Sequence, residues 1–120
     1  MSKVLFIDDD QMILRMASFI AKKCGVPAEC CSSAAEGLSS IETDAPALAF
    51  IDVEMPETNG IELLEMLSSK GITDAVKIYM MSGTVTDEVC QKATVLGAKG
   101  VIGKPLNAGE VSALIKGALA

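Results

Sequence analysis

The feature that most constrains the fold is a regular alternation of short apolar runs with longer segments whose apolar residues recur at helical spacing. The apolar runs cover residues 3–7, 26–31, 47–51, 76–81 and 100–103. Each run is too short for a buried helix, so each is predicted to be a strand. The helical segments between them provide the crossover connections that parallel strands need. The chain is therefore predicted to be an α/β protein, with five helices on both faces of a doubly wound, five-stranded parallel sheet.

Length and charge narrow the class of protein. The 120 residues, half of them hydrophobic, fit one domain spanning 1–120. No apolar run approaches bilayer thickness, and the chain begins with a predicted strand rather than a signal peptide, so a cytoplasmic protein without membrane contact is expected. A net charge of -6 and an aromatic content of 3% argue against direct nucleic-acid binding.

The four cysteines carry little functional signal. They form no C-x-x-C pair, and the chain contains no histidine, so a zinc site would lack its usual ligands. Reduced thiols are expected.

Polar residues follow four of the predicted strands at the point where each strand ends. They are Asp8, Asp9 and Asp10 after the first strand, Asp52 after the third, Ser82 after the fourth and Lys104 after the fifth; Gly83 follows Ser82, and Pro105 follows Lys104. The carboxyl ends of parallel strands share one edge of the sheet, where ligand sites of such folds form. Asp52 alone could simply terminate a strand. Asp10 directly precedes a helical segment and is interpreted as its N-cap rather than as a ligand.

The converging residue types indicate phosphate chemistry with a metal ion. Neighbouring carboxylates repel one another, and a hard divalent cation relieves that repulsion. Mg²⁺ fits better than Ca²⁺ because it needs few protein carboxylates; Asp9 and Asp52 would bind it directly, and Asp8 through water. Lys104 and the Ser82 hydroxyl suit phosphoryl oxygens. Asp52 could then attack phosphorus and become an aspartyl phosphate.

This pattern of acids, hydroxyl and lysine, together with Met55-Pro56 and Gly60 after Asp52, resembles the receiver domain of bacterial two-component response regulators across essentially the whole chain. The resemblance implies a flavodoxin-like strand order of 2-1-3-4-5. It also implies that a sensor histidine kinase or a phosphotransfer protein donates a phosphoryl group to Asp52 in the presence of Mg²⁺. Such a protein is not an enzyme in the usual sense, since it catalyses only its own phosphorylation and dephosphorylation.

The resemblance also assigns roles to individual residues. The metal ligands would be Asp9, Asp52 and the backbone carbonyl of Glu54, with Asp8 acting through water. Lys104, Ser82 and Gly83 would contact the phosphoryl group, with Ser82 as the switch hydroxyl. Glu54 and Thr84 would flank that group and influence its hydrolysis, and the peptide bond before Pro105 would be cis.

Activation would follow from movement of Ser82 and Lys104 towards the new dianion, which shifts the loop after the fourth strand. The altered face would comprise the fourth helix, fifth strand and fifth helix, where a downstream protein or output domain binds. Family members often carry an aromatic switch residue on the fifth strand, and this chain has Val101 there. Rotation of an aromatic ring is therefore not expected, whereas backbone and loop movement remain available.

Three alternatives stay open on the sequence. One is a receiver-like interaction module that is not phosphorylated. Another is a Mg²⁺-dependent phosphatase resembling the haloacid dehalogenase group, with Asp52 as nucleophile and Glu54 as general acid/base. Three features disfavour it: the signature of that group has Asp where this chain has Glu54, Pro56 departs further from the signature, and 120 residues leave no room for a cap domain. A flavin-binding carrier is disfavoured because the first strand is not followed by a hydroxyl-rich phosphate loop.

The first helical segment has two apolar stripes. Ile13, Met16, Ala17 and Ile20 are predicted to face the core. Met12 and Phe19, seven residues apart, either belong to a wide core stripe or form a second face that docks a partner helix. The wide core stripe is the favoured interpretation.

Overall fold

A computed structural model describes residues 3–119, so residues 1, 2 and 120 of the predicted domain lie outside it. The described residues form one parallel sheet with strand order β2-β1-β3-β4-β5. The strands are β1 (Val4–Ile7), β2 (Ala28–Cys31), β3 (Leu48–Asp52), β4 (Lys77–Ser82) and β5 (Gly100–Gly103). The predicted fold class and strand order are confirmed.

Helices cover both faces of the sheet. They are α1 (Gln11–Lys23), α2 (Ala34–Asp44), α3 (Gly60–Ser69), α4 (Asp87–Val95) and α5 (Ala108–Leu119), with a short 3₁₀ helix at Ile72–Asp74. Apolar residues of α1 and α5 pack with one face of the sheet, and those of α2, α3 and α4 pack with the other. Within residues 3–119, none of the helices has the length and hydrophobicity required to cross a membrane.

The central strands β1 and β3 are buried on both faces, which explains their uninterrupted apolar sequence. Cross-strand pairs align Phe6 with Phe50, and Phe50 with Tyr79. Their rings stack with centroid separations of 5.0 and 5.8 Å. This aromatic row lies on the face covered by α1 and α5 and stabilises the pairing of β1, β3 and β4.

Side-chain caps begin the helices where the sequence indicates. Asp10 accepts a hydrogen bond from the Met12 amide at the start of α1, which confirms it as the N-cap. Asn59 caps α3 in a complete capping box with Glu62. These caps fix where the loops after β1 and β3 end, and so limit the freedom of Asp8, Asp9 and Asp52.

The predicted core face of α1 is partly wrong. Ala17 and Ile20 are buried as expected, but the other two buried residues are Leu14 and Ala21. Ile13 is only half-buried, and Met16 is 43% exposed. Both stripes satisfy helical spacing and share two residues, so periodicity alone could not choose between them.

Because α1 turns a different stripe towards the sheet than predicted, the residues at the edge of the predicted stripe are exposed. Met12 is 76% and Phe19 is 60% exposed. The interpretation of these two residues as part of a wide core stripe is therefore wrong.

Candidate functional site

The carboxyl ends of β1, β3, β4 and β5 bring the predicted residues together. Asp8 and Asp9 follow β1, Asp52 ends β3, Ser82 ends β4, and Lys104 follows β5. Because β1 and β4 both neighbour β3, their ends flank Asp52. Asp8, Asp52 and Ser82 are 0%, 1% and 2% exposed, so these three polar side chains are held inside the fold.

Lys104 forms a bridge between the two buried carboxylates. Its Nζ lies 2.9 Å from Asp8 Oδ2 and 3.0 Å from Asp52 Oδ1. Burial lowers the pKa of Lys104, but the hydrogen bonds to Asp8 and Asp52 outweigh it and raise the pKa overall. The lysine therefore stays charged and compensates part of the buried negative charge.

Asp52 has one engaged and one free carboxylate oxygen. Oδ1 contacts Lys104 and accepts a 3.2 Å hydrogen bond from the Glu54 amide. Oδ2 is buried and has no hydrogen-bond partner in residues 3–119. Burial raises the pKa of Asp52 to about 6, with Lys104 opposing the shift and the Asp8 charge adding to it. An unsatisfied oxygen of this kind is free to bind a cation or attack an electrophile.

The acidic residues form a candidate cation site. One carboxylate oxygen from each of Asp8, Asp9 and Asp52 lies within 4.8 Å of the others. Asp9 is exposed, whereas the other two are buried. A set of carboxylate oxygens open to water on one side suits a hard cation such as Mg²⁺. Asp10, which caps α1, is not part of this cluster.

Ser82 and Gly83 contact a residue that the sequence did not pair with them. Glu54 Oε1 lies 2.9 Å from Ser82 Oγ and 3.3 Å from the Gly83 amide nitrogen. Ser82 Oγ also lies 2.9 Å from the Thr84 carbonyl oxygen and accepts a 3.1 Å hydrogen bond from the Thr84 amide. Glu54 and Ser82 are 28 residues apart, and no local pattern signals that their side chains meet.

The remaining predicted positions lie close to this site. The Lys104–Pro105 peptide bond is cis, and it follows directly on the bridging lysine. The Lys104 amide donates to the Ser82 carbonyl at 2.9 Å, which ties the ends of β4 and β5 together. Val101 is half-buried on β5, and Thr84 is exposed beside Ser82.

A family model of the response regulator receiver domain matches residues 4–116. The chain belongs to that family. The receiver domain resemblance is therefore confirmed, and the match favours a receiver domain over the phosphatase and flavin-carrier alternatives.

Individual relatives agree with the family assignment. The response regulator protein TodT of Pseudomonas putida is 30% identical over 118 residues, which cover 98% of this chain and 51% of TodT. The photosynthetic apparatus regulatory protein RegA of Cereibacter sphaeroides is 28% identical over 109 residues, covering 91% of this chain and 58% of RegA. This chain thus spans little more than half the length of these curated relatives.

A solved structure shares the fold at similar identity. The CheY-like response regulator receiver domain protein of Methanospirillum hungatei superposes with a TM-score of 0.89 at 31% identity, covering 99% of this chain and 94% of that one. The same five-stranded order and the same placement of helices therefore occur in a structurally characterised receiver domain.

Proposed function

We propose that this receiver domain is a phosphorylation-dependent signalling switch. A sensor histidine kinase or a phosphotransfer protein would donate a phosphoryl group to Asp52 with Mg²⁺ present, and the domain would then change its partner-binding face. The observation that carries the proposal is the free, buried Oδ2 of Asp52 at the centre of the acids, Lys104 and Ser82. That centre combines a nucleophile with groups that stabilise a phosphoryl anion.

The proposed reaction is an exchange of bonds at phosphorus. An Asp52 carboxylate oxygen forms a bond to phosphorus while the bond between phosphorus and the donor breaks, and the leaving group takes the bonding electron pair. The Asp52 carboxylate is fixed by Lys104 and by the Glu54 amide, so it is oriented before the donor arrives.

The donor set fits a resident Mg²⁺. We assign direct binding to Asp9, Asp52 and the backbone carbonyl of Glu54, with Asp8 acting through water. When bound, the cation would neutralise charge that develops on the phosphoryl oxygens. Asp8 holds Lys104 at 2.9 Å, and its Oδ1 accepts a 2.9 Å hydrogen bond from the Asp10 amide, so this carboxylate also orders the loop after β1.

Contacts to the transferred group would come from three residues at two strand ends. Lys104 supplies a cation from the end of β5, and Ser82 and the Gly83 amide supply donors from the end of β4. Movement of Ser82 towards the phosphoryl group would shift the loop that leads to Thr86, the N-cap of α4. The face formed by α4, β5 and α5 would change accordingly and bind a downstream protein or output domain. Val101 offers no aromatic ring to rotate, so this loop would transmit the change.

Intact mass after incubation with Mg²⁺ and acetyl phosphate tests the proposal. The wild type is expected to gain one phosphoryl group, and Asp52→Asn to gain none. Asp74→Asn is a matched control, because Asp74 is exposed in the 3₁₀ helix, remote in sequence from the acidic cluster. No gain by the wild type, even with a kinase or phosphotransfer protein supplied, would support an interaction module that is not phosphorylated.

A further inference from the structure

The side chain of Glu54 occupies the donors that a phosphoryl group on Asp52 would need. Its Oε1 contacts both Ser82 Oγ, at 2.9 Å, and the Gly83 amide nitrogen, at 3.3 Å. The amide of Glu54 itself bonds Asp52 Oδ1 at 3.2 Å. One residue thus contacts the proposed phosphoacceptor with its backbone and the proposed phosphate donors with its carboxylate.

Building on the phosphorylation proposed for Asp52, we infer that Glu54 is a positioning residue that acts as a stand-in anion. In the unphosphorylated protein its carboxylate holds Ser82 and the Gly83 amide, and the arriving phosphoryl group must displace it. Glu54 thereby sets both the rate of phosphorylation and the resting position of the loop after β4.

Ser82 and the Gly83 amide cannot bind the Glu54 carboxylate and a phosphoryl group at the same time, because they have too few hydrogens to donate. The Ser82 hydroxyl and the Gly83 amide each carry one hydrogen to donate. A phosphoryl oxygen that receives these hydrogens takes them from Glu54, since one donor seldom serves two anions well. A carboxylate and a dianionic phosphoryl group that share these two donors would also repel each other.

The exposure of Glu54 allows the exchange. Ser82 is buried at the end of β4, whereas the Glu54 side chain is exposed and is free to rotate into water. The Thr84 carbonyl, 2.9 Å from Ser82 Oγ, is a second acceptor for the hydroxyl hydrogen once Glu54 leaves. Release of the Glu54 carboxylate therefore needs only rotation of its own side chain, and it costs the charge-assisted hydrogen bonds that Glu54 makes.

Initial rates of phosphorylation by acetyl phosphate, followed by intact mass at fixed Mg²⁺, separate this role from a general charge effect. Glu54→Asp keeps the negative charge but draws the carboxylate back by about 1.5 Å, one C–C bond length, so it no longer reaches Ser82. Glu54→Ala removes the carboxylate altogether. Glu57→Ala is the matched control: the same charge is lost from the same loop, at an exposed residue.

Both Glu54 variants are expected to be phosphorylated about tenfold faster than the wild type, which corresponds to about 1.4 kcal/mol of barrier. Glu57→Ala is expected to remain within about twofold of the wild type, as a screened surface charge should. The urea midpoint of each variant checks that it is folded under the assay conditions, so that a difference in rate is not a consequence of unfolding.

The Gly83 amide gives a readout that does not depend on phosphorylation. Without Mg²⁺ or phosphodonor, its ¹H–¹⁵N resonance is expected to move in Glu54→Asp and Glu54→Ala, and to stay in place in Glu57→Ala. On phosphorylation, the Gly83 resonances of wild type and both variants should converge, because the same phosphoryl group then accepts the hydrogen bond.

Different results contradict different claims. Wild-type rates in both Glu54 variants, with phosphorylation intact, would overturn the stand-in role and leave the proposed function standing. Acceleration in Glu54→Ala and Glu57→Ala but not in Glu54→Asp would replace it by simple charge repulsion. Absence of phosphorylation in every protein, the wild type included, would remove the proposed function and this inference with it.

Discussion

Gly60 lies directly against the backbone carbonyl of Asp52. A Cβ built on Gly60 would stand 2.0 Å from Asp52 O, and the Gly60 amide donates to the Val53 carbonyl at 3.0 Å. The first residue of α3 is thus packed against the end of β3. The helix start and the proposed phosphoacceptor therefore share one rigid contact, and this explains why a glycine follows the Asn59 cap.

Gly60→Ala is expected to destabilise the fold by about 3 kcal/mol, because the clash is with backbone that cannot move aside without displacing Asp52. Phosphorylation by acetyl phosphate should fall with it. Urea unfolding monitored by circular dichroism measures the first effect. Gly117→Ala is the control: beyond its own helix and chain neighbours no atom lies within 4 Å of its Cβ, and alanine at this exposed position of α5 should stabilise by up to about 1 kcal/mol. Equal stability of the Gly60→Ala protein and the wild type would contradict this account of the contact.

Mg²⁺ should stabilise the wild type against urea by about 2.7 kcal/mol at a concentration one hundred times its dissociation constant. Asp9→Asn is expected to lose most of this shift while unfolding normally without metal, since Asp9 is exposed. Asp10→Asn makes the same charge change one residue away, and asparagine still caps α1. Loss of the Mg²⁺ shift in Asp10→Asn but not in Asp9→Asn would place the cation elsewhere.

Much of the candidate site could be predicted because it depends on strand ends. Each polar residue follows an apolar run directly, and parallel topology brings those ends to one edge whatever the details of packing. The Glu54 contact with Ser82 could not be predicted in this way. It depends on a side-chain rotamer and on the path of a loop, and neither leaves a periodic signal in the sequence.

Lys104→Met is expected to destabilise the metal-free protein by about 3 kcal/mol, because it leaves Asp8 and Asp52 buried side by side without a cation. The same change should tighten Mg²⁺ binding about tenfold, since the ammonium no longer repels the ion. Titration of unfolding midpoints with Mg²⁺ measures both effects. Lys99→Met serves as control at an exposed lysine. Weaker Mg²⁺ binding by the Lys104→Met protein would show that the lysine organises the acids rather than competing for them.

The Cys31 thiol should be nearly inert in the native protein. Burial raises its pKa from the ordinary value of 9.0 to about 11, with Glu29 adding to the shift. The thiolate fraction at pH 8 is then about 100-fold smaller than for a free cysteine, and the 4% exposure of Cys31 slows alkylation further. Fragment-ion mass spectrometry after iodoacetamide treatment, with urea-unfolded protein as reference, measures the rate. Raising the pH towards 11 should restore reactivity; equal rates in native and unfolded protein at pH 8 would contradict the shift.

The orientation of α1 shows why the fold was easier to predict than its packing. Strands can be predicted from short apolar runs and helices from the spacing of apolar residues. Which stripe of α1 meets the sheet depends instead on shape complementarity with β1, β3 and α5. Leu14 enters that core beside Phe6 and Phe50, whereas Met16 does not. Two overlapping apolar stripes were available on this helix, and only the residues that pack against it in three dimensions distinguish them.

Leu14→Ala and Met16→Ala test that orientation. Leu14 is 6% exposed, so its truncation leaves a cavity and should cost about 2–5 kcal/mol. Met16→Ala removes a larger side chain from a position that is 43% exposed, and the free energy of unfolding should change by less than about 1 kcal/mol. Both substitutions introduce alanine, so the helix propensity of the new residue is the same. The difference between the two losses in unfolding free energy therefore reports the burial of the original side chains. A greater loss in the Met16→Ala protein would mean that α1 packs with its other stripe inward, and that Met12 and Phe19 lie nearer the core than their exposure indicates.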